Sequence, residues 1–144
     1  MSVEPTKVAE IMGGARVLQQ EVDTLADLQE VVAEGLPVAA LNETTRYVAG
    51  SARAASRLRE TLIPRATLAR RSRLKLPESE RVERLARMMA LAESVWENRA
   101  DARLFLHESH PMLGDRSPLE MAQTELGARR VEALLMKLEY NLPA

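Results

Sequence analysis

Apolar side chains recur along this chain at intervals of three and four residues, the spacing that lines one face of a helix, and no stretch shows the two-residue alternation of a half-buried strand. The clearest run is Val82, Leu85, Met89, Ala92 and Trp96. It predicts a long helix opening at Pro77, with Glu78 and Glu80 in a first turn that suits proline and acidic side chains. The same stripe assigns Trp96 to the core.

A shorter stripe, Leu25, Leu28, Val31 and Val32, starts behind Thr24, and Asp27 follows three residues on as in a capping box. Gly35 fits a left-handed stop and Leu36-Pro37 a fresh start. A second helix is therefore expected from Pro37 to about Arg46, with Val38 and Leu41 on one face. Ser51 can cap a third helix that turns Ala54, Ala55, Leu58 and Leu62 inward. Pro64 breaks it, and a short helix is expected from there to about Arg73, with Leu68 inward and its arginines outward. Another, around Asp101–His107, contributes Leu104 and Phe105 and closes at Pro111. Residues 1–16, weakly periodic and ending in Gly13-Gly14, read as a mobile or loosely packed lead-in.

The most closely specified stretch lies near the C-terminus. Ser117-Pro118-Leu119-Glu120 is a capping box with proline at the first helical position. Thr124 can cap a second start that leads into Val131, Leu134, Leu135 and Leu138. Glycine inside a helix costs roughly 1 kcal/mol relative to alanine, so Gly127 is expected where another backbone comes close.

Composition agrees with an all-α fold. Of 144 residues, 46% are apolar but only 3% aromatic, so the core must be built from Leu, Val, Ala and Met, the vocabulary of packed helices. The absence of Cys excludes disulfides and thiolate chemistry and is compatible with a reducing cytoplasm. The N-terminus lacks the basic and apolar regions of a signal peptide, and no apolar run approaches a membrane span, so a cytoplasmic protein without a membrane partner is expected.

Charge is segregated. Residues 46–75 carry Arg46, Arg53, Arg57, Arg59, Arg65, Arg70, Arg71, Arg73 and Lys75 against Glu60 alone, a net of +8 in a chain whose total is −1. Such a block points to a polyanion or an acidic protein surface. Two helices joined by a tight turn over residues 60–73, the second carrying Arg and Thr outward, match the needs of a helix-turn-helix on DNA. Arg57, Arg65, Thr67, Arg70, Arg71 and Arg73 are the candidate DNA contacts, although the turn Thr61-Leu62-Ile63-Pro64 has no glycine. His107-Glu108-Ser109-His110 superficially suggests a metal site, but His110 precedes proline, which spoils a one-face arrangement; local polar contacts in a loop are expected instead. Paired carboxylates lie on helix faces without a neighbouring base, and no glycine-rich phosphate loop is present, so neither catalysis nor a cofactor is expected.

In order and content these features resemble the antitoxins that carry an Xre-like helix-turn-helix followed by an Xre/MbcA/ParS-type toxin-binding domain. The residues carrying the resemblance are Gly35-Leu36-Pro37, then Ile63 to Arg71. The most specific are Pro111-Met112-Leu113-Gly114, Ser117 to Ala122 and Thr124 to Glu132. The resemblance spans about Gly14 to Leu142. It implies a lead-in (1–23), an Xre-like DNA-binding region (24–76), and a long connecting helix with a small C-terminal toxin-binding domain (77–144). It further implies a type II antitoxin that neutralises a RES-domain, NAD-consuming toxin by covering its active site and represses its own operon. Leu113, Gly114, Ser117, Pro118 and Leu119 would shape the toxin-binding surface, with Arg129, Arg130, Lys137, Tyr140 and Asn141 as exposed contacts. Asp115 stands where the family usually has a second glycine, and Asn141 where the last helix usually ends in glycine. The partners implied are the cognate toxin and operator DNA, with a homodimer or a higher hetero-oligomer as the assembly. A free-standing transcriptional regulator on the same scaffold is the alternative, and a helical adaptor whose basic block binds an acidic protein is a third.

Overall fold

The computed structural model describes residues 3–140, and the described residues fold into α-helices with two isolated bridge pairs in place of any sheet. The chain divides into two compact units, one from Val3 to Ala86 and the other from Arg87 onward.

In the first unit the supposed lead-in is structured. Helices α1 (Pro5–Ile11) and α2 (Gly14–Leu18) bury Val8, Ile11, Met12 and Leu18, and Lys7 Nζ reaches Tyr47 Oη at 3.1 Å. Helices of seven and five residues are too short to display a period, so only packing reveals their inner face. Helix α3 (Leu25–Glu34) starts as expected: Thr24 Oγ1 accepts from the Asp27 amide at 3.1 Å, and the Asp27 carboxylate accepts from the amides of Thr24 and Asp23. Those bonds hold the Asp27 carboxyl below its usual pKa, the Asp23 amide contributing most. Leu28 and Val31 are buried, but Leu25, at the first helical position, is 72% exposed and does not join the stripe.

Pro37 caps helix α4 (Val38–Ala49) from outside, one residue earlier than its expected place. Gly50 ends α4 in the left-handed conformation, and Ser51 Oγ accepts from the Ala54 amide to open α5 (Ala52–Leu62). The two helices pack together, and Arg59 Nη1 bridges them to Asn42 Oδ1 at 3.1 Å. Helix α6 is a single turn, Arg65–Leu68, and stops well short of Arg73. Ala69 is extended, Arg70 turns left-handed at φ 67°, and the chain is drawn back against the Gly35-Leu36-Pro37 corner. There the Leu74 amide donates to Leu36 O at 2.7 Å, the Val38 amide to Ser72 O at 2.9 Å, and Arg73 Nη1 to Gly35 O at 2.7 Å. Gly35 has φ 92°, and a Cβ there would lie 2.5 Å from Leu74 O, so this corner requires glycine.

Helix α7 (Leu76–Trp96) is the long helix the pattern predicts. Val82, Leu85, Met89 and Ala92 are buried as expected, but Trp96, its last residue, is 40% exposed. It leans on Phe105 with ring centroids 6.1 Å apart, because the stripe runs out where the helix ends. In the second unit, Asn98 caps α8 (Arg99–His107) through the Asp101 amide. Phe105 and Leu106 are buried, while Leu104 is 56% exposed and lies outside the core. A 3-10 turn (Pro111–Leu113), helix α9 (Pro118–Met121) and helix α10 (Glu125–Glu139) follow. Helix α9 packs on both α8 and α10, and the 3-10 turn packs on α10.

Candidate functional site

The basic block of residues 46–75 is less available than its charge suggests. Arg71 grips both carboxylate oxygens of Glu78 and also donates to Thr67 O. Glu78 is buried, and it accepts from the Lys75 amide at 2.8 Å as well. The Arg71 hydrogen bond, against the opposing effect of burial, holds the Glu78 carboxyl below the usual glutamate range and raises the guanidinium in turn. Arg73 is committed to Gly35 O and Arg59 to Asn42. Arg71 and Arg73, expected on the outer face of a reading helix, therefore sit beyond the one-turn α6 and hold the chain to itself, Arg73 being exposed all the same. Arg57, Arg65, Thr67 and Arg70 are exposed, and Arg65 carries an ion pair with Glu60 at 3.4 Å.

At the C-terminal end the capping signals are realised in full. Ser117 Oγ accepts from the Glu120 amide at 3.2 Å while Glu120 Oε1 accepts from the Ser117 amide at 3.3 Å. Thr124 Oγ1 accepts from the Gly127 amide at 3.0 Å. A Cβ on Gly127 would collide with the Met121 carbonyl oxygen, the close backbone approach expected of a glycine there. Between these caps and α8, His110 organises the loop. Its Nδ1 accepts from the Met112 amide at 3.1 Å, its amide donates to Arg116 O, and its carbonyl accepts from the Asp115 amide. Gly114 and Asp115 are both left-handed, at φ 65° and 59°. Asp115 thus holds the conformation that the usual second glycine would supply, and aspartate is among the residues that tolerate it best. No cluster of three or more His, Cys, Asp or Glu able to hold a metal occurs among the described residues.

Leu113, Ser117, Pro118 and Leu119 are buried, so they shape the corner rather than touch a partner. Gly114, Arg129, Arg130 and Tyr140 are exposed and Lys137 partly so; Asn141 lies outside the described residues. A surface groove of about 170 Å³ runs between the 3-10 turn and α10, lined by Met112, Arg130, Ala133, Leu134 and Lys137. Arg130 Nη2 ties its rim together by donating to Met112 O at 3.2 Å. Around it, Met112, Leu126, Met136 and Tyr140 are 42%, 71%, 41% and 59% exposed, a concentration of large apolar side chains that marks a binding surface. Met112, Leu126, Ala133 and Met136 were not among the contact residues expected from the sequence. For Leu126, Ala133 and Met136 a helical-wheel projection of 126–140 contains the signal, because they fall on the side opposite Val131 and Leu135.

This geometry is that of a candidate binding surface: a braced corner, a groove, and an exposed face of mixed basic and apolar character. Residues 91–140 match the family described as the antitoxin Xre/MbcA/ParS C-terminal toxin-binding domain. That likeness covers 50 of the 144 residues and supports an antitoxin of a toxin–antitoxin system, with a toxin as its partner. The match is to a binding domain and points to a non-enzymatic role. Comparison with curated proteins gives no match. No helix among the described residues is long and apolar enough to cross a membrane.

Proposed function

We propose that the chain neutralises a RES-domain, NAD-consuming toxin in the cytoplasm by laying the α10 face and the 3-10 turn over the toxin's active-site entrance. The observation that carries this reading is the coincidence of the toxin-binding family match, residues 91–140, with the exposed groove of α10. The rigid caps around Ser117 and Thr124 support it, since a preformed surface loses little conformational freedom on binding. The test is growth rescue. Co-expression of the full chain with a cognate RES-domain toxin is expected to restore growth, and a chain lacking residues 111–144 is expected to give no protection. Full protection by the truncated chain would overturn the reading.

We also propose that the N-terminal unit represses the operon by binding its own promoter, as part of a homodimer or a hetero-oligomer with the toxin. The exposed Arg57, Arg65, Thr67 and Arg70 support this. A mobility shift at about 0.1 M salt, where phosphate contacts still contribute, tests it. The variant R57A/R65A/R70A is expected to lose promoter binding, and unchanged binding would remove the DNA assignment.

A further inference from the structure

Helix α10 sorts its charges by side. At 3.6 residues per turn, Leu126, Arg129, Arg130, Ala133, Met136, Lys137 and the C-cap Tyr140 share an arc of roughly 120°, and apart from the partly exposed Lys137 all of them are exposed. The carboxylates Glu125, Glu132 and Glu139 recur at seven-residue spacing along the adjoining edge. Two of the three share one cation from within the chain, which offsets one of their two charges. Arg87 Nη1 meets Glu132 at 2.9 Å and Arg87 Nη2 meets Glu125 at 3.5 Å. The opposite arc, with Val131, Leu134 and Leu135, is core. The exposed arc is therefore left with three cations, apolar side chains and no carboxylate of α10, beside the groove floored by Leu134.

From this sorting we infer the chemistry of the toxin surface that docks here: a ring of carboxylates around one protruding apolar side chain, which enters the Met112–Ala133–Leu134 groove. The inference rests on the antitoxin reading and deepens it. Arg129, Arg130 and Lys137 steer an acidic partner over distances set by ionic screening, so charge acts mainly on the association rate. Desolvated burial of Met136, Tyr140 and the groove then sets how long the complex lasts. Arg87 has a part in this without touching the partner: it offsets one of the two charges of Glu125 and Glu132 and so weakens the acidic edge.

The experiment immobilises a cognate RES-domain toxin and follows association of the full chain between about 0.05 and 0.3 M salt. Wild-type association is expected to slow at least about tenfold across that range. R129E/R130E/K137E is expected to associate about 10–100 times more slowly and to lose most of its salt response. R16E, a charge reversal in the N-terminal unit, should stay within about twofold of wild type. A133W, which fills the groove from an exposed helix position, is expected to weaken affinity about tenfold or more through faster dissociation. R129E/K137E spares the Arg130–Met112 tether and serves if the triple variant does not fold. Wild type that fails to bind the toxin overturns the antitoxin reading itself. Wild type that binds with the same rate and salt response as the charge variants overturns only the inference. Two further outcomes overturn it in favour of another occupant: competition by duplex DNA that the charge variants abolish, or a wild-type dimer that they dissociate.

Discussion

Arg71 and Glu78 form a two-pronged ion pair across the turn between α6 and α7, and that pair takes one of the most DNA-like arginines out of circulation. The sequence neighbourhood of Arg71 is strongly basic, yet its side chain is only 21% exposed, and that of its partner 11%. R71A is therefore expected to act on stability. Its Tm should fall by several degrees, whereas R57A/R65A/R70A should melt like wild type within about 2 °C. Equal melting of both variants would contradict the division of the basic block into structural and exposed members.

The same pair sets a pH dependence. The Glu78 carboxyl is held below its ordinary value by Arg71, so its contribution is fully present above the unfolded-state pKa of about 4.3 and is lost as pH falls through the lower folded value. Asp27 is depressed as well and acts with the same sign. Thermal melts from pH 7 to pH 3 should fall more steeply for wild type than for E78Q, whose starting stability is lower. Parallel curves would show that Glu78 titrates without consequence.

Gly127 offers a test in which two effects oppose each other. Alanine gains roughly 1 kcal/mol of helix propensity. Its Cβ must displace the Met121 carbonyl, which the α9–α10 corner holds in place. Overpacking costs typically 1–3 kcal/mol, and more against backbone. G127A is expected to destabilise by about 2 kcal/mol, with Tm lower by roughly 10 °C. A variant as stable as wild type would show that the corner yields.

Asp115 gives the converse. Its backbone is left-handed, which costs a residue with a Cβ roughly 1 kcal/mol and glycine almost nothing. D115G should be neutral to stabilising by up to about 0.5 kcal/mol once the freer unfolded chain is counted. D115A should destabilise by about 1 kcal/mol, because alanine lacks the tolerance of aspartate for this region. Chemical denaturation of the three proteins measures the order, and D115A above D115G would refute it.

What was legible in the sequence follows from range. Thr24, Ser51, Ser117 and Thr124 satisfy amides three residues away, and Gly127 reports a clash with a backbone six residues before it, so these features are written in neighbouring residues. The long helix and its buried stripe were legible for the same reason, because a period needs only its own helix. Three other matters were decided by partners distant in sequence. Helix α6 stops after one turn because residues 72–74 pair with the Gly35-Leu36-Pro37 corner nearly forty residues away. Arg73 and Arg59 donate to Gly35 and Asn42, at separations of 38 and 17 residues. Arg87 pairs with Glu132, 45 residues on, and so weakens the acidic edge beside the cationic arc of α10. By itself the sequence determined the all-α fold, most of its helix starts and the segment that matches the toxin-binding family. Only the tertiary structure decided which charges face outward, because a guanidinium spends its charge on whichever carbonyl or carboxylate the packing brings within reach.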